Sequence, residues 1–302
     1  TGEILKECIE SIFRFEKNTN FEIIIVDNNS TDNSQMIIED LENLHKEIKH
    51  IFLNELKSFS YANNTGFYDS EGTHILIMNP DIIFTDAILE KLLKSFDDVN
   101  DLGAVCPLLI GTDGKFQRRY FQRYPSLFQF IFFYSMAAKF FLRFPKLINR
   151  YFENGDIDIK GKRLQYVEQI PCAFFLTKRS VFESVGMMDD SYVLFFEDVD
   201  LSYKINSNYK IAVDVFISIK HLGGSSFKTS DDYWLYGRFI LSMIKFFENN
   251  YSAVRTFLLR LLTLVNSHSI LFLEFIKKVF GKGNNYRARK HKYFLKEYKK
   301  IY

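Results

Sequence analysis

Short β-branched runs alternate with helix-length amphipathic stretches through the first hundred residues, and this pattern constrains the fold most. "FEIIIVD" (21–27), "HIFLNE" (50–55), "HILIMN" (74–79) and "GAVCPLL" (103–109) read as strands. Runs of this kind fill strands covered on both faces. Between them, 3–15, 32–44 and 86–96 carry apolar residues at helical spacing. Strand and helix in alternation predict an α/β domain with a mainly parallel sheet flanked by helices. Such sheets hold ligands at the carboxyl ends of their strands. Two of these ends carry acids: Asp27 opens "DNNSTDNS", and Asp81 follows Asn79-Pro80.

Composition narrows the class further. With 47% apolar and 25% charged residues, the 302-residue chain has the make-up of a folded protein. The formal charge of +2 conceals a division. Residues 281–302 hold eight Lys or Arg against Glu297, which leaves the rest acidic and gives the tail an anionic partner. The three cysteines, Cys8, Cys106 and Cys172, form neither a disulfide framework nor a metal-ligand spacing, so a reducing compartment is the simpler reading. No signal-peptide pattern opens the chain.

Several polar residues suit chemistry, and each also has a structural use. Asp27 at a strand end serves a turn or helix cap, or accepts from a nucleotide base or ribose hydroxyl. Asp81 ends a strand after Pro80, or anchors a hard divalent cation whose remaining positions go to phosphate and water. His221, before Gly223 and Gly224, is an ordinary packed histidine or a nitrogen ligand to the same ion, and the glycines would let backbone approach a phosphate. In "LFFEDVDL" (194–201), acids crowd against Phe195 and Phe196. If a helix begins there, Asp198 and Asp200 point different ways and only one can face a cleft. The helix terminus would keep that carboxylate ionised, as a general base requires. Arg118, Arg119 and Arg123 make a solvated basic loop, or less simply contact a diphosphate.

Together "EIIIVDNNSTDNS", "ILIMNPD", "FFEDVDLSYKI" and "KHLGG" resemble, in order and spacing, the inverting family 2 glycosyltransferases of GT-A fold, nearest their rhamnosyltransferase-like branch. The resemblance covers roughly residues 1–240. It implies sugar transfer from a nucleotide-diphosphate donor, dTDP- or UDP-linked, to a glycan or lipid-linked acceptor, in bacterial cell-surface polysaccharide synthesis. By position it makes Asp198 the catalytic base and Glu197 an acceptor contact. Asp81 and His221 become ligands of Mg²⁺ or Mn²⁺, with Asn79 in place of the family's first metal-binding acid. Asp27, Asn29, Asn63, Asn64, Gly66 and Asn79 fall to the nucleotide site. Two departures stand out: the family's opening strand and turn are not found, so either the sequence is truncated or a central strand is missing, and Cys172 stands where relatives often carry Gly. A catalytically inactive nucleotide- or glycan-binding relative is the competing reading. A nucleotidyltransferase is disfavoured because no P-loop is present, and nucleic acid because no recognition module accompanies the tail.

A catalytic domain over 1–231 and a helical region over 232–302 are expected. Within 255–280, Arg260, Ser267 and Glu274 recur every seven residues and make one polar stripe on an otherwise apolar helix. Charge at a bilayer centre is costly, so this helix either lies in a membrane interface or packs on the protein. With the basic tail, the first option predicts a peripheral protein at the inner face of the cell membrane.

Overall fold

The computed structural model describes residues 2–151, 157–223, 232–282 and 285–302, and the chain forms two compact units. The first unit comprises Thr1–Arg123, Asn154–Ser191 and Glu197–Ser226; the second comprises Tyr124–Glu153, Tyr192–Phe196 and Phe227–Tyr302.

The first unit is a mixed α/β layer structure. Helix α1 (Gly2–Phe15) precedes β1 (Ile23–Asp27), α2 (Ser34–Leu44), β2 (Ile48–Phe52), α3 (Phe59–Tyr68) and β3 (His74–Met78). After β4 (Ile82–Ile83) come α4 (Leu89–Asp98) and β5 (Leu102–Ile110). Then follow β6 (Leu164–Tyr166), β7 (Phe174–Lys178), α5 (Arg179–Ser184), α6 (Glu197–Asn206) and β8 (Lys210–His221). Side chains fix several helix starts. Ser58 Oγ accepts the Tyr61 N–H at 3.1 Å to begin α3, and buried Glu16 Oε1 accepts from Ile88 and Leu89 to begin α4.

The strands form two sheets. β1 and β2 pair parallel, while the larger sheet runs β3-β7-β5-β8-β4 with β6 also on β8. Among the described residues of the larger sheet only β5–β8 is parallel; β3–β7, β5–β7, β4–β8 and β6–β8 are antiparallel. The α/β class read from alternation therefore holds, with a more mixed pairing than alternation alone implies. β5 and β7 are almost wholly buried and carry the core. β1 and β3 are only half-buried, unlike the doubly covered strands their sequences predict. The reason is topological: each lies at an edge of its sheet, and no strand bridges them among the described residues. Pro107 lacks a backbone donor, and the β5–β8 register shifts just after it.

"SYANNTGFYDS", which holds Asn63, Asn64 and Gly66, is chiefly a helix, α3. Gly66 faces β1: a Cβ there would meet Val26 Cγ2 at 3.1 Å.

The second unit is helical. It holds short helical turns within 127–151 and three long helices: α7 (Asp232–Asn250), α8 (Ala253–Val279) and α9 (Asn285–Ile301).

Candidate active site

Strand ends and helix starts of the first unit carry most of the predicted residues, in three groups. At the end of β1, Asp27 is buried, and its Oδ2 accepts the Ser30 N–H at 2.8 Å and the Gln35 amide at 3.4 Å. This is the turn role foreseen for an acid here, and it engages one carboxylate oxygen. Asn28 clamps the Lys57 backbone through both N–H and C=O, and Asn29 adopts φ 61°, the left-handed region that asparagine tolerates. Asn63 Nδ2 donates to its own helix at Phe59 O. Asn64 bonds the Met188 backbone in both directions. Both amides thus have local structural partners.

The second group sits where β3 leads through Asn79-Pro80-Asp81 into β4. Ile82 pairs with His221 at the end of β8, so the two strands bring Asp81 and His221 face to face. Asp81 Oδ1 lies 3.4 Å from His221 Nε2, and both side chains are buried. The Asp81 carbonyl accepts from Leu222 at 3.0 Å, and its Oδ2 accepts the Gly223 N–H at 3.1 Å. Gly223 supplies the φ of 71° that this turn back onto Asp81 requires. Gly224 lies outside the described residues.

Gln117 and Tyr120 complete this group, and sequence reasoning did not single out either. The Gln117 amide donates to His221 O at 3.2 Å, which turns its Oε1 toward His221 Nδ1 at 2.7 Å. Nδ1 then carries a proton, and Nε2 is the ring nitrogen on the Asp81 side. Tyr120 packs edge-on against the imidazole with centroids 5.0 Å apart, and burial followed by Asp81's charge raises its phenol pKa. Both residues flank the Arg-Arg pair that draws attention in "FQRRY". Of the arginines there, Arg118 lies over the Phe116 ring and Arg123 pairs with Glu168.

The third group answers the puzzle of "LFFEDVDL". α6 begins at Glu197, so all three acids fall in its first turn. Asp200 is fully buried and pairs with Lys204 one turn on, at 2.8 Å, which gives it a structural role. Asp198 is the one turned elsewhere: its carboxylate accepts N–H groups from Val199 and from Cys172 at the entry to β7. Burial outweighs those bonds and pushes its pKa up to about 6. Glu197 is pushed further, to about 8, by burial and then by the Asp198 charge. Its Oε2 is buried with no hydrogen-bond partner among the described residues. Before them, Phe195 and Phe196 have φ of 68° and 69°, a costly backbone for two non-glycine residues in succession.

The second and third groups meet through the β3–β7 pair. Met78 is in register with Phe174, and the Asn79 N–H donates to Ala173 O at 3.1 Å. Cys172, the next residue, supplies the N–H held by Asp198. One hydrogen-bonded step therefore separates the chain entering Asp81 from the chain carrying the acidic pair. Asp27 and Asn29 lie at the end of β1 on the smaller sheet.

Among the described residues no cluster of three or more His, Cys, Asp or Glu is arranged around a common point. Asp81 and His221 nevertheless fit a divalent cation. Asp81 Oδ1 and His221 Nε2 lie 3.4 Å apart, near the spacing of adjacent donors on one small ion. The Gln117 bond to Nδ1 is the outer support that metal-bound histidines commonly have.

A mixed sheet flanked by helices is the architecture of the GT-A-type glycosyltransferase fold. The chain belongs to glycosyl transferase family 2, whose model matches residues 2–201. A curated relative, glycosyltransferase GlyG of Streptococcus pneumoniae, is 30% identical over 98 residues; the match spans 32% of this chain and 32% of that protein. Among solved structures, the fold is similar to that of a Pyrobaculum calidifontis mannosyltransferase in complex with GDP-Man and Mn²⁺ (TM-score 0.54, 13% identity, 98% of this chain and 82% of that one). It is also similar to GalNAc-T7 with UDP, GalNAc and Mn²⁺ (0.56, 11%, 82% and 46%). A third likeness is Staphylococcus aureus TarS (0.51, 13%, 84% and 64%). At these identities the likenesses speak to the fold.

Proposed function

We propose that this chain is an inverting, metal-dependent glycosyltransferase of rhamnosyltransferase-like type. It would move a sugar from a dTDP- or UDP-linked donor to a glycan or lipid-linked acceptor, at the inner face of the cell membrane, in bacterial cell-surface polysaccharide synthesis. The observation that carries the reading is the closeness of two unlike acidic centres, Asp81 with His221 and Glu197 with Asp198, joined through the Asn79–Ala173 hydrogen bond.

In this mechanism Asp198 takes the acceptor hydroxyl proton as that oxygen bonds to the anomeric carbon. The bond from that carbon to the diphosphate breaks on the opposite face, and its electron pair leaves with the phosphate oxygen. A carboxyl titrating near 6 is ionised at neutral pH and basic enough to take the proton. Glu197, protonated near neutral pH, has an O–H with which to orient the acceptor oxygen. Asp81 and His221 would hold Mg²⁺ or Mn²⁺, which supplies positive charge to the departing diphosphate. Asp27 accepts from base or ribose through the oxygen that Ser30 leaves over, with Asn29, Asn63, Asn64, Gly66 and Asn79 along the nucleotide.

The competing reading, a binding protein without turnover, draws on the separation of the two sheets between β1 and β3. The purified chain, given UDP- and dTDP-sugars with Mn²⁺ and candidate acceptors, should release nucleoside diphosphate and form a product of inverted anomeric configuration. Donor-dependent thermal stabilisation with no release under any of these conditions would decide for the binding protein.

A further inference from the structure

Helix α8 in the second unit is inside out. Its buried positions include Thr256, Thr263, Asn266, Ser267 and Glu274, whereas Val254, Phe257, Leu261, Val265, Phe272 and Val279 are exposed. At 3.6 residues per turn the two sets fall on opposite sides of the helix. Phe257 is 64% exposed and Phe272 63%, and only 33% of the most apolar stretch is buried. A helix of a water-soluble fold buries its apolar face, and a contiguous apolar surface marks a binding site.

The polar face is committed to neighbours within the same unit. Asn266 Oδ1 accepts the Met136 N–H at 2.9 Å, Ser267 Oγ meets His291 Nδ1 at 3.0 Å, and Glu274 faces Arg287 at 3.7 Å. Arg260 covers the Tyr302 ring at 3.9 Å. The pairs 274–287, 267–291 and 260–302 show that α9 runs antiparallel alongside α8. On α9, Arg289, Lys292, Lys296 and Lys299 are exposed at spacings of three and four residues, so they form a cationic stripe.

We infer that the apolar face of α8 seats this unit on an anionic lipid surface, with the α9 stripe among the headgroups. α8 is long and apolar enough to cross a bilayer. A span would carry the exposed lysines of its antiparallel neighbour into hydrocarbon, a cost that lying in the interface avoids. Each basic residue near an anionic leaflet adds to the attraction. This deepens the peripheral location proposed for the transferase and uses none of the catalytic residues.

The test is flotation of the full chain with vesicles of phosphatidylglycerol and phosphatidylcholine, against phosphatidylcholine alone. The chain should float with the anionic vesicles, and salt should weaken binding. Phe257→Glu with Phe272→Glu should lower vesicle affinity about a hundredfold. Lys292→Gln and Lys296→Gln should each lower it about fivefold. All four positions are exposed, so the unfolding temperature and binding of UDP with Mn²⁺ should stay at wild-type values. Failure to float would overturn the assignment. So would phenylalanine variants that turn a dimer into a monomer, or a chain that resists alkaline carbonate extraction from bacterial membranes as a spanning protein does.

Discussion

The two acidic centres of the first unit treat their carboxylates in opposite ways. Asp81 is tied through Oδ2 and its carbonyl to the end of β8, so its position is fixed by the sheet. Glu197 and Asp198 sit side by side at a helix start, with burial exceeding what hydrogen bonds return. The first arrangement holds a carboxylate beside an imidazole in a fixed place and suits holding a cation. The second keeps a proton in play near neutral pH and suits transferring one. Pairs of ionisable groups whose surroundings push them apart mark acid–base roles.

The comparison breaks most visibly at Asp198. Asp198→Asn should lower transfer about 10²–10⁴-fold while donor affinity stays near wild type, checked by product formation and by calorimetry with donor. A variant that transfers normally would remove Asp198 from the mechanism. Gln117→Ala tests the other centre through its support: Mn²⁺ affinity should fall about 10–100-fold by calorimetry, with the acidic pair's pH response unchanged. The pH profile comes next. The transfer rate should fall about tenfold per unit as pH drops below about 6, because protonated Asp198 cannot accept the acceptor proton.

A smaller effect concerns stability. Glu197 binds its proton more tightly folded than unfolded, so its contribution is most favourable at low pH. That contribution is lost as pH rises from the ordinary carboxyl range toward about 8. Glu197→Gln should flatten this decline, and thermal unfolding between pH 5 and about 8 should show the variant gaining on wild type.

The α/β class was legible because alternation of period and length survives in any one sequence, and the strand ends bearing Asp27 and Asp81 followed from it. The His221–Asp81 contact was suggested by residue type and needed the β4–β8 register to become a distance. Gln117 was not legible: an amide between aromatics and arginines has no pattern until the hairpin after β5 places it under His221. Asp198 and Asp200 were separable in principle by helical spacing, but which one pairs inward depended on Lys204, four residues further on. The polar stripe of α8 was visible as a heptad, while its burial, the fact that inverts the helix, was not.

Gly66 carries a lesson for anyone seeking a more heat-resistant version of this protein. Replacing a mid-helix glycine by alanine normally gains about 1 kcal/mol. Here the new methyl group would press on Val26, one residue before Asp27, so the gain in backbone order would be set against a displaced strand end. A routine stabilising substitution would act as a change to the strand end that carries Asp27.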